Sequence, residues 1–159
     1  MTTILAALST IAVGLTSGIY LAFTTAVMPG LRDADDRSFI ASMQAINTRI
    51  QNPWFLTVFM GSLLLPIALA VAVIAGDSGA ARRWGIASAV LAAIPFAITV
   101  GGNVPLNDAL AAAGRASGIA DPAAARHAFA GPWTRLNLWR TITSTVAFAA
   151  LVRTLLVLR

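Results

Sequence analysis

The sequence predicts an all-α protein, a membrane-spanning four-helix bundle with a short amphipathic helix between spans 1 and 2 and a short extramembrane helix between spans 3 and 4. Of its 159 residues, 58% are hydrophobic and only 11% are charged, which is far from the composition of soluble domains. Uncharged runs at 1–31, 50–76 and 84–107 each exceed the length of about 20 residues that crosses a bilayer. These observations indicate a polytopic membrane protein that forms one domain over residues 1–159.

The fourth span is less obvious because it contains a charge. Only twelve residues separate Arg140 from Arg153. At about 1.5 Å per residue they are too few to cross a hydrocarbon core of about 30 Å, so the span has to include Asn137 or Arg140. We therefore expect the four spans at about 3–28, 53–76, 84–107 and 133–157.

The first span is followed by a surface helix. A polar stripe of Thr16, Tyr20 and Thr24 runs along the span, and Tyr20 offers a hydroxyl to an internal cavity. Proline and glycine at 28–30 are expected to end the helix. Asp36 is the expected N-cap of an amphipathic helix over 38–51, which lies on the bundle mouth or on the membrane surface. Its apolar face consists of Phe39, Met43, Ile46 and Ile50.

Spans 2 and 3 both contain prolines, and the sequence marks the start of span 2 and the end of span 3. Asn52-Pro53 begins span 2, and a polar turn over 77–83 leads into span 3. The end of span 3 presents a polar stripe spaced by four residues, Thr99, Asn103 and Asn107. Asp121-Pro122 is expected to begin a short helix that ends before Gly131.

Span 4 begins with a polar stripe. Five residues at helical spacing share one face: Trp133, Asn137, Arg140, Thr141 and Ser144. Even low insertion scales give a cost of about 2.5–3.5 kcal/mol for arginine at a helix centre, so Arg140 indicates a functional site. The alternative is that Arg140 snorkels to the interface, with Trp133 and Trp139 as belt residues.

The two halves of the chain also resemble each other weakly. The motifs at 27–29 and 52–54 are Val-Met-Pro and Asn-Pro-Trp, and those at 103–105 and 131–133 are Asn-Val-Pro and Gly-Pro-Trp. A parallel repeat about an axis near the membrane normal explains the similarity, and chance remains the alternative.

Because successive spans alternate in direction, the unusual polar residues collect on one side of the membrane. We expect Arg49 and the following residues to rim one pocket there: Asn47, Asn52, Trp54, Asn103, Asn107, Asp108, Trp133, Arg135, Asn137 and Arg140. The opposite side carries Arg82, Arg83, Arg153 and Arg159. Short arginine-rich segments favour the cytoplasm, so both termini are expected there, although seven arginines on the pocket side oppose this assignment.

The residue types in this predicted pocket limit its chemistry. Guanidinium groups, amides and flat indole rings suit a flat phenolic or enolic anion. No Ser/His/Asp grouping or phosphate loop is present, and a single histidine excludes a three-histidine metal site. The absence of cysteine excludes disulfides and thiolate catalysis. The arginines are spread over the loops and span ends, which argues against nucleic-acid binding.

Several motifs resemble those of the anthrone oxygenase-like family of small four-helix membrane proteins. They are Val27-Met28-Pro29, Asn47 with Asn52-Pro53, the block Asn103-Val104-Pro105-Leu106-Asn107, and Trp133 followed by Asn137 and Arg140. The resemblance implies oxidation of polyketide anthrones to anthraquinones by molecular oxygen with no established cofactor. We therefore expect no cofactor and no metal.

In that interpretation, each predicted residue has a role. Arg140 and Arg135 stabilise an enolate oxygen together with amides of Asn103, Asn107 and Asn137. Asp108 is the first candidate for the base and His127 the second. Trp133 and Trp54 hold the rings flat, and Asn47 and Asn52 complete the substrate-binding set.

Two other classes of function remain compatible with the sequence. The pocket holds an amphipathic ligand without reaction in a binding or transport-accessory protein. In a structural subunit the same polar groups only join helices. In each case we expect an integral protein of a bacterial-type inner (plasma) membrane. Its expected partners are the lipid bilayer and a small-molecule substrate but not nucleic acid, and homo-oligomerisation is compatible with the sequence.

Overall fold

The computed structural model describes residues 1–76 and 79–158, and these are helical without strands. Span 1 (Thr2–Arg32) comprises α1 (Thr2–Ala22), a π turn (Phe23–Val27) and α2 (Met28–Arg32). After α3 (Asp36–Arg49), span 2 is α4 (Pro53–Ala75). Span 3 (Gly79–Ala112) comprises α5 (Gly79–Ile98), a second π turn (Thr99–Asn103) and α6 (Val104–Ala112). A short 3₁₀ turn (Ala116–Gly118) then precedes span 4, which is α7 (Pro122–Val157).

All four spans are long and apolar enough to cross a membrane, which confirms the predicted fold class. Span 1 packs between α4 and α7, and α5 packs between the same two helices. The spans therefore form an antiparallel ring in which spans 1 and 3 lie diagonally opposite. The predicted polar turn begins at Asp77, and Asp77, Ser78 and Arg159 lie outside the described residues. Gly79 already belongs to α5.

Both ends of the bundle have their own apolar core. One core lies between the four spans and includes Val13, Leu69, Val73 and Leu151. The other lies under α3, where Phe39, Ile40 and Met43 pack with residues of α6 and α7. The apolar face of α3 is therefore buried on the bundle mouth and not on the membrane surface. We name this second core, with α3 and the neighbouring helix ends, the cap.

Polar side chains fix the cap to exposed helix ends. Arg126 donates to the carbonyl oxygens of Ala34 and Arg32, each at 2.7 Å, and forms an ion pair with Asp36 at 3.0 Å. These carbonyls follow the last turn of span 1, where no helical donor satisfies them. Gln44 likewise donates to the carbonyl of Leu110 at 2.8 Å. The cap is thereby held on the open end of the bundle.

The N-cap of α3 is Asp35 and not Asp36. The Asp35 carboxylate accepts from the backbone amides of Arg37 and Ser38, both at 3.1 Å. Hydrogen bonds from Ser38 lower the pKa of Asp35. Asp36 is the first helical residue, which leaves its carboxylate free to pair with Arg126.

Proline does not end span 1 as expected. The amide of Met28 donates to the carbonyl of Phe23, five residues back, and the amide of Val104 donates likewise to Thr99. Each of these wide turns directly precedes a proline, Pro29 or Pro105. A proline ring clashes with the carbonyl four residues before it, and a widened turn lets the helix continue past this clash.

The helix that begins at Pro122 does not end before Gly131. Asp121 caps it by accepting from the amide of Ala124 at 2.9 Å, as predicted, but α7 then continues for 36 residues. Glycine and proline cost about 1 and 3 kcal/mol inside a helix. Burial of Phe129 and Trp133, whose ring centroids lie 6.1 Å apart, holds the two sides of this weak point in one helix.

This topology makes a direct prediction about the membrane sides. Reporters fused after Gly79 and after Gly118 are expected to lie in opposite compartments, because one complete span separates the two points. Activity of a periplasm-dependent and a cytoplasm-dependent reporter at each point measures this. Identical signals at both points would contradict the four-span arrangement.

Candidate functional site

A cavity of about 330 Å³ lies between the four spans, directly under the cap. Its volume is within the range of small-molecule sites. The polar and indole side chains that line it are Tyr20, Asn47, Gln51, Thr99, Asn103, Asn107, Asp108, Trp133 and Arg140. Its apolar lining consists of Ile19, Phe23, Ile46, Ile50, Phe55, Leu56, Phe59 and Val104. The cavity therefore combines one polar wall with a broad aromatic and aliphatic wall.

Arg140 is buried against this cavity with only 6% of its surface exposed. Its Nη2 donates to Asn137 Oδ1 at 2.8 Å, and Nη1 donates to Thr99 Oγ1 at 3.3 Å. Its guanidinium carbon lies 4.6 Å from the ring centroid of Tyr20 and 5.1 Å from that of Trp133. Arg140 and Trp133, which is 3% exposed, are both buried inside the protein, so their side chains do not reach the outer surface as the snorkelling alternative requires. Trp139, 55% exposed, remains suited to a belt position.

The charge of Arg140 has no acidic partner in the described part of the chain. The one ion pair there is between Arg126 and Asp36 in the cap. Amide and hydroxyl dipoles and two ring faces surround the guanidinium, and its Nε is buried without a hydrogen-bond acceptor among residues 1–76 and 79–158. A buried cation that lacks a counter-ion strongly favours an anion beside it.

Asn137 does not line the cavity itself, but it accepts a hydrogen bond from Arg140 and so positions the guanidinium. Its Nδ2 donates to the Tyr20 carbonyl at 3.0 Å and to Thr24 Oγ1 at 2.8 Å. Its Oδ1 is thereby turned toward Arg140, one helical turn further along α7. Thr24 also shares a hydrogen bond with the Thr141 hydroxyl at 2.9 Å. The polar stripes of span 1 and span 4 thus face each other and fix the guanidinium.

The Asn103–Asn107 block of span 3 holds Trp133. Asn107 Oδ1 accepts from the indole Nε1 at 2.9 Å, and Asn103 Nδ2 donates to the Trp133 carbonyl at 3.3 Å. The spacing of four puts both amides on the face toward α7. Asn103 Oδ1 and Asn47 Nδ2 are buried at the cavity without partners among the described residues.

Asp108 is exposed and lines both the cavity and a shallow depression on the cap surface. Asn47 and Gln51 also line both the cavity and this depression. These three side chains therefore mark the mouth through which the cavity reaches the water side of the cap.

Five predicted site residues, and Arg49 on the predicted rim, lie outside the cavity, and Asn137 behind Arg140 is one of the five. Arg49 is exposed on the cap surface. Trp54 is 86% exposed on the outer face of α4. Asn52 is the N-cap of the same helix, and its Oδ1 accepts from the Phe55 amide at 3.0 Å. Asn52 therefore caps the helix, although the sequence analysis predicted that it binds substrate.

His127 and Arg135 line a separate surface depression beside Arg126. Since α7 is continuous, each residue turns by about 100°, which places Arg135 about 200° away from Trp133. The prediction of one pocket shared by these residues and Arg140 is wrong for this geometric reason.

The sequence-based site also lacked several residues that the cavity contains. Tyr20 and Thr99 stood out as members of polar stripes but were not assigned to the site. The apolar wall, including Phe55 and Phe59, gave no signal because lipid-facing and cavity-facing positions use the same residue types. Among residues 1–76 and 79–158, no three His, Cys, Asp or Glu side chains come together as a metal-binding group.

Comparison with known proteins gives a family for this arrangement. A search of curated proteins and a search of solved structures found no match. The family model described as anthrone oxygenase matches residues 54–150, which include most of α4, all of span 3 and the Arg140 region of α7. Since this match covers more than half of the sequence, the chain belongs to the anthrone oxygenase family.

Proposed function

We propose that this protein is a membrane-embedded oxygenase that converts an anthrone-like ketone or a related phenol to the quinone with molecular oxygen. The observation that carries the proposal is the buried Arg140 guanidinium, which faces the cavity and forms no ion pair with any described residue. An enolate or phenolate oxygen supplies the missing negative charge. In a site of low dielectric this interaction is far stronger than in water.

The walls of the cavity suit a flat ring system. Trp133 and Phe23 lie with ring centroids 5.3 Å apart on one side, and Phe55 and Phe59 stack at 5.6 Å on another. All four line the cavity. Aromatic faces hold a planar substrate at little cost in conformational entropy and keep water away from its reactive carbon.

The acidic methylene group of an anthrone would point toward Asp108 in this cavity. Thr99, which binds Arg140, and Asp108 are nine residues apart on span 3, about 13 Å along the axis at about 1.5 Å per residue. In an anthrone, the carbonyl oxygen and the acidic methylene carbon are at opposite positions of the central ring. With the oxygen at Arg140, the methylene group therefore faces the mouth. Because the central ring is much shorter than this separation, the proton passes to Asp108 through water.

The reaction then balances with oxygen as the only oxidant. Asp108 takes one methylene proton, and the enolate gives one electron to O₂. The substrate radical and superoxide combine to form a carbon–oxygen bond, and Asp108 returns the proton to give a hydroperoxide. Asp108 then takes the second proton from that carbon as the oxygen–oxygen bond breaks, and it passes this proton to the leaving hydroxide to give water. The substrate has lost two hydrogens and gained one oxygen, and one water is released.

Oxygen uptake by purified, chelator-treated protein with a model anthrone tests this proposal. We expect uptake well above that of an Arg140→Gln control, with the quinone as product, since the enolate itself reduces oxygen. Uptake equal to the control would overturn the enzymatic proposal. Uptake that disappears only after chelation would contradict the metal-free mechanism.

A non-enzymatic binding or transport-accessory role uses the same cavity and remains the second candidate. Its supporting observation is the apolar wall, which suits retention of an amphipathic aromatic compound. Tight binding of the anthrone or quinone to wild-type protein without oxygen uptake would favour this role. Mass spectrometry of small molecules that co-purify with the protein would identify the ligand class in either case.

A further inference from the structure

The packing of spans 2 and 3 changes along the membrane. Span 2 packs on span 3 along α5, whereas the second π turn and α6 pack on α7, and α6 also packs on α3. Gly102 lies against α7, where a Cβ would be 2.8 Å from Cδ1 at the end of the Leu136 side chain. Near the cap, span 3 is thus held by α7, and only side chains close the space between it and the start of span 2.

These side chains are apolar and are exposed to the outside of the protein. Leu56 of α4 is 44% exposed and Val104 of α6 is 40% exposed, and both also line the cavity. Phe59 stacks on Phe96 of α5 with ring centroids 4.9 Å apart, which closes the wall on the side away from the cap. At Leu56 and Val104 the cavity wall is therefore formed by hydrocarbon side chains that are also exposed on the outer surface.

We expect the part of the cavity wall at Leu56 and Val104 to lie in the outer part of the hydrocarbon core. Trp54, 86% exposed, begins span 2 and is suited to the interface, where indole rings concentrate in membrane proteins. Leu56 follows two residues later and so lies just inside this boundary. Flat aromatic molecules with one polar edge accumulate at this depth for the same reason that tryptophan does.

We propose that the cavity takes its ligand sideways from the bilayer, through a lateral portal between Leu56 and Val104, and that this ligand is a neutral, lipid-dissolved aromatic ketone or phenol. The proposal rests on the proposed function for the identity of the substrate, but the portal itself follows from the packing. Neutral entry matters because an anion would lose its hydration before reaching Arg140. The mouth at Asn47, Gln51 and Asp108 then serves exchange of protons and water.

Accessibility of a single cysteine tests the portal without any assumption about activity. The chain contains no cysteine, so Phe23→Cys places one thiol on the cavity wall. In liposomes, an apolar maleimide dissolved in the bilayer is expected to label it. Adding Val104→Trp should slow that labelling about tenfold, equivalent to about 1.4 kcal/mol in the barrier. Leu56→Trp is the second variant if Val104→Trp fails to fold.

Two matched controls separate the routes. Leu138→Trp makes the same substitution as Leu56→Trp at a position that is 45% exposed and not on the cavity, and it should leave labelling unchanged. Gln51→Trp at the water-side mouth should slow a charged, water-soluble maleimide and not the apolar one. The portal is excluded if neither portal variant slows the apolar reagent, or if Gln51→Trp slows both reagents equally.

Where the protein consumes oxygen, a second measurement uses the substrate itself. Val104→Trp is expected to lower kcat/KM for oxygen uptake in liposomes, whereas Leu138→Trp is expected to leave it unchanged. An unchanged kcat/KM in both Val104→Trp and Leu56→Trp would contradict entry from the bilayer. Absence of oxygen uptake would refute the proposed reaction, and the labelling result would still decide the portal.

Discussion

Arg140→Gln is expected to reduce the turnover of an anthrone by about 10²–10³, the usual effect of removing one preorganised donor to a developing oxyanion. Glutamine keeps a hydrogen-bonding side chain near Asn137 and Thr99 but removes the charge that the cavity leaves uncompensated. The loss should appear mainly in kcat, since the enolate is more negative than the bound ketone. Steady-state oxygen uptake over a range of anthrone concentrations measures it.

The control is Arg153→Gln, which removes a charge from the same helix at an exposed position away from the cavity. It should leave turnover unchanged. Arg140→Lys keeps the charge and distinguishes loss of charge from loss of packing on Tyr20 and Trp133. If Arg140→Ala and Asn137→Ala instead abolish extraction of a folded protein in detergent, these groups serve only to join helices.

Helical periodicity predicted which residues share a face of a helix. This was sufficient to identify the residues that form the polar wall of the cavity. The stripe from Thr99 through Asn103 to Asn107 and the stripe from Trp133 to Arg140 do meet, through direct hydrogen bonds. Periodicity alone does not give the rotation of one helix against another or the use of a side chain in a cap. Asn52 and Arg135 were therefore assigned to a pocket that they do not reach.

Proline illustrates a second limit of the sequence. Pro29 and Gly131 each indicated a helix boundary, because proline removes a donor and clashes with the preceding turn, and glycine is favoured just past a helix end. The chain keeps both helices continuous, in span 1 through a π turn and in α7 through burial on both sides of Gly131. Continuity of α7 is what fixes His127 on a different face from Arg140.

The two π turns also bear on the internal repeat. They occupy equivalent places before Pro29 and Pro105, as a parallel repeat predicts. When the halves are aligned on the Pro-Trp pairs at 53–54 and 132–133, Trp133, Asn137 and Arg140 correspond to Trp54, Val58 and Gly61. The first half therefore lacks the amide and the guanidinium that α7 contributes to the site.

Asp108→Asn is expected to lower kcat by about 10²–10⁴, the range for loss of a positioned general base. Asparagine has nearly the same size but accepts no proton, and binding of a phenolate ligand should persist because Arg140 is unchanged. Oxygen uptake at neutral pH measures the loss. The rate of the variant should rise with pH, because hydroxide at the water-side mouth then replaces the carboxylate as the base.

Asp33→Asn and His127→Gln are the matched controls, since both side chains lie outside the cavity, and neither should change the rate or its pH dependence. Full activity of Asp108→Asn at neutral pH would show that Asp108 is not the base. No other carboxylate or imidazole among the described residues lines the cavity, so proton removal would then fall to water at the mouth or to the Tyr20 hydroxyl. Tyr20→Phe in the Asp108→Asn background separates these two, because only the hydroxyl is removed while the ring beside Arg140 remains.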